Sequence, residues 1–249
     1  MFPVKALQKL ALYNAGACWT TLHYNCKPER SILVNWENID TVLLDMDGTL
    51  LDLYFDNYFW LHFLPERYAS HHECSLEEAT SWLKSLSDSL HGHLNWYCLD
   101  HWTEQCEMDI HALKEEVRHL IRFKTGTSEF LEFLRRMNKQ AILVTNAHPK
   151  AMALKIQSSG LHDHLETCYS SHIFKLAKEN DGFWAALQSH ADLDYSRCLF
   201  IDDSLNVLRC AQREGLPYII QVLQPDSTQP PRSPSEFPGV LSLTELITA

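Results

Sequence analysis

Residues 41–52 read TVLLDMDGTLLD, and no other stretch constrains the chain as tightly. The run Thr41-Val42-Leu43-Leu44 is short, apolar and soon followed by a glycine turn at Gly48, the pattern of a buried strand. It delivers two carboxylates, Asp45 and Asp47, where the chain is already turning, so both can rim one pocket. In open α/β folds such a pocket lies at the carboxyl ends of parallel strands. Two acids this close repel each other and would hardly both ionise without a cation. The pair therefore implies Mg²⁺, which favours carboxylate oxygen.

Four more strand-like runs follow, at residues 141–144, 166–169, 198–201 and 218–222. Residues 128–138 repeat apolar side chains at three and four, 149–159 do so behind Pro149, and 204–215 end in the helix-stopping Gly215. Strand–helix alternation predicts a parallel sheet covered on both faces. Residues 53–124 break it with helical patterns only. There, 75–89 open with a capping-box Ser75-x-x-Glu78, and 109–123 form a second long amphipathic run. This is too much for a loop and reads as an inserted helical cap. Five prolines in residues 224–238 predict an irregular connector, and 241–247 a last short helix. The expected organisation is a catalytic core of 36–52 and 125–249, a cap of 53–124, and an N-terminal extension of unknown role at 1–35. That extension is mildly basic but lacks the clean apolar core of a secretory signal.

The 249 residues, 45% of them apolar, suffice for a sizeable core. A formal charge of −11 disfavours nucleic acid or an anionic membrane surface as a partner. An acidic protein that handles phosphate must rely on local cations. No apolar stretch is long enough to span a bilayer. The eight cysteines are scattered without a CxxC pair, which predicts reduced thiols and a cytoplasmic location.

The chemistry falls into four pieces, each at the end of an expected strand. They are Asp45 with Asp47; Thr145-Asn146; a lysine, either Lys175 or Lys178; and Asp202-Asp203. Alone, the last pair before Ser204 reads as a helix cap. In this order, the four resemble the motifs of the haloacid dehalogenase-like hydrolase superfamily: hhhhDxDGT, a Thr or Ser after a strand, a Lys, and an acid pair. Within it the chain is most similar to the bacterial GMP/IMP nucleotidases, through DTVLLDMDGTLLD, FDNYFW (55–60), LNWYCLD (94–100), TNAHP (145–149) and LFIDDS (199–204).

The resemblance implies an α/β fold, a Rossmannoid core with a central parallel sheet and a C1-type helical cap. It implies a Mg²⁺-dependent phosphomonoesterase acting on a small phosphate ester, a purine nucleoside 5′-monophosphate. By position, Asp45 would be the nucleophile and Asp47 the general acid and base. Thr145 would hydrogen-bond the transferring oxygens. The lysine would neutralise them and hold Asp45. Lys178 is favoured by alignment through Lys178-Glu179, with Lys175 in reserve because the usual Gly-Tyr-Pro before the lysine is absent. Asp45, Asp47, Asp203 and Asp202 would form the metal site. Asn146, Asp56 and Asn57 are candidates for binding substrate, and Phe59, Trp96 and Tyr97 for stacking a base. His148 follows the second motif and either lines the site or simply enters a helix. The histidine pairs 71–72, 91–93 and 162–164 lack zinc spacing. Sugar-phosphate phosphatases, phosphotransferases and mutases share such a core, and a catalytically weak binding protein is the alternative of another class.

Overall fold

A computed structural model of the chain describes residues 34–247. The residue 1–33 portion of the expected N-terminal extension lies outside them. Six strands form one parallel sheet: β1 (Thr41–Leu44), β2 (Gln140–Thr145), β3 (Thr167–Ser170), β4 (Cys198–Asp202), β5 (Tyr218–Val222) and β6 (Gly239–Val240), ordered β3-β2-β1-β4-β5-β6. The order reverses at β1, so the crevice beside its carboxyl end is where such a sheet binds ligands.

The β1 side chains explain why both faces must be covered. Val42 and Leu44 enter one core with Phe130, Leu134 and Leu154, while Leu43 enters the other with Phe183, Trp184 and Leu208. The first core is closed by α6 (Thr127–Arg136) and α7 (Pro149–Ser159), the second by α8 (Phe183–Ala191) and α9 (Leu205–Arg213). Pro149 starts α7 at a position where no backbone N–H is needed, and Gly160 ends it in the left-handed conformation, φ 80°.

The insertion between β1 and α6 carries α1 (Tyr54–Tyr58), a wide π-turn (Phe59–Phe63), α2 (Leu64–His71), α3 (Leu76–Leu90), α4 (Leu99–Cys106) and α5 (Ile110–Glu116). The expected capping box is present: Ser75 Oγ accepts the Glu78 N–H and Glu78 accepts the Ser75 N–H. The amphipathic run at 109–123 is shorter than expected. α5 stops at Glu116, a 3-10 turn (Arg118–Leu120) follows, and the chain then extends to pair Phe123 antiparallel with Leu51. This pairing ties together the two chain segments that join the insertion to the core, through Asp52 N–H to Arg122 O and Lys124 N–H to Leu50 O, both at 3.0 Å.

The proline-rich connector is irregular as expected, but it ends in a strand the sequence does not announce. Two-residue β6 extends the sheet, and an ideal Cβ on Gly239 would lie 2.9 Å from the Leu223 side chain, so a larger residue there requires Leu223 to move. The last helical element is a single 3-10 turn, Leu243–Leu246.

Candidate active site

Asp45 leaves β1 with its N–H on Ile201 O of β4 at 3.0 Å, which places its carboxylate against the end of that strand. Asp202 closes β4, Asp203 follows it, and Thr145 closes β2 on the other side of β1. Lys178 reaches in from the loop after β3. Its Nζ donates to Asp45 Oδ1 at 2.5 Å, Asp202 Oδ2 at 2.7 Å and Val144 O at 3.0 Å, so all three ammonium hydrogens are used. Of the two candidate lysines, Lys178 is thus the one in the site. Lys175 is exposed, in a left-handed turn at φ 59°.

Gly48 makes the turn after Asp47 possible. Its φ is +89°, and a Cβ there would meet Pro225 Cβ at 2.8 Å and Asp203 Cγ at 2.9 Å. Both its conformation and its surroundings demand glycine. Pro225 belongs to the connector, which therefore walls the site rather than merely linking strands. From the same segment, Arg232 Nη1 donates to Asp203 Oδ2 and to Asp203 O, each at 2.9 Å.

The charges are unbalanced. Asp45, Asp202 and Asp203 can each place a carboxylate oxygen within 4.8 Å of the others, and all three are buried. Burial pushes each up to about 6, against the pull of Lys178 on Asp45 and Asp202 and of Arg232 on Asp203. Mutual repulsion adds to this: Asp202 on Asp45, Asp203 on Asp202 and Asp45 on Asp203. Burial opposes the charge on Lys178 as well, but Asp202 and Asp45 outweigh it and raise the ammonium well above the usual lysine range. Three carboxylates thus meet one buried ammonium and one half-exposed guanidinium. The cluster of hard oxygen donors fits Mg²⁺.

Asp47 faces a second charge network, one absent from the sequence reading. Lys155 of α7 bonds Asp47 Oδ1 at 2.7 Å and Asp56 Oδ2 at 2.6 Å, and Lys114 of α5 bonds Asp56 Oδ1 at 2.9 Å. Both lysine side chains are almost fully buried, 3% and 2% exposed. Burial raises Asp47, with Asp56 and Asp45 adding to it and Lys155 opposing. Burial would raise Asp56 too, but the two lysines hold it well below the usual carboxylate range. A lone lysine inside each apolar stretch, Ala151-Met152-Ala153-Leu154-Lys155 and Ile110-His111-Ala112-Leu113-Lys114, was the signal available.

Several expected substrate contacts have protein partners instead. Asn146 accepts the Lys178 N–H and donates to Glu179, each at 2.8 Å. Asp56 is committed to the two lysines, and Asn57 donates to Asp226 at 2.7 Å. Of the stacking candidates, Phe59 is wholly buried in the core and has no face to offer a base. Tyr97 donates its hydroxyl to Glu179 at 2.8 Å, tying the insertion to the loop that carries Lys178. Trp96 is 36% exposed and stands edge-on to Tyr97. Thr145 is buried at the rim; its Oγ accepts the Ala147 N–H at 3.0 Å, which leaves its own hydrogen to donate.

A strand-end aspartate held by a buried lysine thus stands beside an acid pair on the adjacent strand. The haloacid dehalogenase-like hydrolase profile matches residues 39–215, and the chain belongs to that family as an enzyme of the phosphatase type. It is 42% identical over 196 residues to the GMP/IMP nucleotidase YrfG of Escherichia coli K12, covering 79% of this chain and 88% of that one. Among solved structures it is similar to a haloacid dehalogenase-family phosphatase from Thermococcus onnurineus, with TM-score 0.70 and 19% identity over 84% of this chain and 96% of that chain. It is also similar to CbbY from Rhodobacter sphaeroides in complex with phosphate, with TM-score 0.58 and 15% identity over 84% and 96% of the two chains. Such identities carry the fold and no more.

Proposed function

We propose that the protein is a cytoplasmic, Mg²⁺-dependent phosphatase that hydrolyses the purine nucleoside 5′-monophosphates GMP and IMP through a phospho-Asp45 intermediate. The observation that carries the chemistry is Lys178 bonded to both Asp45 and Asp202. Lys178 occupies Asp45 Oδ1, leaving Oδ2 to attack phosphorus. The Oδ2–P bond forms as the bond from phosphorus to the ester oxygen breaks, and Asp47 donates a proton to the departing alkoxide. Burial suits Asp47 to this by favouring its protonated form. Asp47 then takes a proton from a water that attacks phosphorus, the Oδ2–P bond breaks, and inorganic phosphate leaves. Thr145 and Lys178 stabilise the transferring oxygens. Mg²⁺ held by Asp45, Asp203 and the Asp47 backbone carbonyl, with Asp202 on it or its waters, would supply the positive charge that a phosphate dianion needs to enter this acidic site.

The substrate assignment rests on the 42% identity over 196 residues to a GMP/IMP nucleotidase. On this reading residues 53–124 are the cap, and exposed Trp96 is its candidate for stacking a base. Asn146, with both ends of its amide engaged, acts by fixing the Lys178 loop. The test is phosphate release from a panel of mononucleotides and sugar phosphates with Mg²⁺, beside an Asp45→Asn control. Release from GMP and IMP that disappears in the control supports the assignment. A preference for sugar phosphates rejects the substrate, and release that survives in Asp45→Asn rejects the chemistry.

A further inference from the structure

Three side chains of metal-ligand type that the proposed chemistry leaves idle meet where the insertion touches the core. Cys98 is the N-cap residue of α4, His148 that of α7, and His172 lies in the 3-10 turn after β3. The sulfur and one ring nitrogen of each histidine lie within 4.8 Å of one another. The three are scattered along the chain, so their spacing carries no metal signature.

The state of the rings points to a ligand. His172 Nε2 is buried and has no hydrogen-bond partner. With its proton on Nδ1, the neutral ring leaves the Nε2 lone pair free for a ligand. His148 Nε2 is 3.5 Å from an Asp100 oxygen, and its Nδ1 makes only a long 3.4 Å contact with the Lys150 N–H. The two rings stand nearly perpendicular, at 83° and 5.0 Å. Cys98 is a free, half-buried thiol with no capping hydrogen bond. The other sulfur-containing cluster, Asp181 with Cys210 and Glu214, differs. Its Glu214 accepts the Gly182 and Ala185 N–H groups and its Asp181 pairs with Arg213.

We propose that Cys98, His148 and His172 bind a borderline-soft divalent cation of the Zn²⁺ or Co²⁺ kind, with water or Asp100 as fourth ligand. Thiolate and imidazole select such ions and reject Mg²⁺, so the molecule separates two metals by donor chemistry. Bonds of ~2.0–2.3 Å place tetrahedral donors roughly 3.3–3.6 Å apart, a contraction that side-chain rotation can supply. Because Cys98 belongs to the insertion and both histidines to the core, occupancy pins one to the other.

The experiment is a Co²⁺ titration of the full-length, metal-stripped protein with Mg²⁺ in excess, read by thiolate-to-cobalt charge-transfer and tetrahedral d–d absorption. Oxygen-only sites give neither signal strongly. The expected result is saturation at one equivalent and displacement by Zn²⁺. The bands should be lost in Cys98→Ser and retained in Cys210→Ser. In His172→Gln, which keeps the thiol and decides the matter if Cys98→Ser does not fold, affinity should fall by more than about 100-fold, the most that loss of a supporting residue costs. Absence of a thiolate band in the wild type, or a band unchanged in His172→Gln, overturns the proposal.

Discussion

Lys178 is the residue on which the site turns, because its single ammonium joins the nucleophile candidate, the acid pair and the β2 backbone. Replacing it with Met leaves Asp45 and Asp202 facing each other with no buried cation. Lys178→Met is expected to lower kcat at least ~10²–10³-fold, the scale of losing one preorganised charge-stabilising donor; steady-state phosphate release measures it, with circular dichroism to check the fold. Lys155 is the second such residue. Lys155→Met strands Asp47, leaves Asp56 to Lys114 alone, and should cost about 3–5 kcal/mol, as breaking buried pairs does. Urea unfolding would show it as a lower midpoint at unchanged slope. These two lysines also mark what a sequence can and cannot reveal. Asp45, Asp47, Thr145 and the Asp202–Asp203 pair are legible because each lies at or just past the end of a strand. Lys155 and Lys114 are not, because their partners lie far along the chain and a lysine on a helix is ordinarily solvated.

At the scale of elements, the insertion reaches Lys178 through a short relay. Tyr97 bonds Glu179, Glu179 bonds Asn146, and Asn146 accepts the Lys178 N–H. A hydrogen bond to a charged group contributes about 1.5–3 kcal/mol. Tyr97→Phe is therefore expected to lower kcat/KM roughly tenfold or more, while an unlinked insertion would leave kinetics unchanged. Five strands and the flanking helices were readable from apolar runs and their 3.6-residue period. β6 was not, since two residues behind a run of prolines carry no periodicity and pair only because β5 offers an open edge. Nor was the break in the amphipathic run at 109–123, where pairing of Phe123 with Leu51 overrides helical periodicity. The connector's composition announced irregularity but not its purpose, which is to bring Pro225 and Arg232 against Gly48 and Asp203.

The whole molecule carries a formal charge of −11 and gathers four acids, Asp45, Asp47, Asp202 and Asp203, in and around one crevice. Binding of the proposed Mg²⁺ should therefore follow pH. Asp45, Asp202 and Asp203 are raised from 3.8 to about 6, so the metal-free fold holds these protons more tightly than the unfolded chain does. The stability they contribute is full below about pH 4 and lost as pH rises through about 6. The proposed Mg²⁺ would bind the ionised forms and the folded state, so the increase in Tm it confers should be small near pH 5 and complete above about pH 7. Scanning calorimetry with and without EDTA measures it, and an increase independent of pH would place the ion elsewhere. The central claim, that phosphate passes through Asp45, is tested most directly by acid-quenching the enzyme within milliseconds of mixing with labelled GMP and Mg²⁺, then mapping the bound label. The account predicts a hydroxylamine-labile phosphate on the peptide that contains Asp45, absent in Asp45→Asn. Turnover of GMP with no enzyme-bound phosphate at any quench time, or label on another residue, would contradict it.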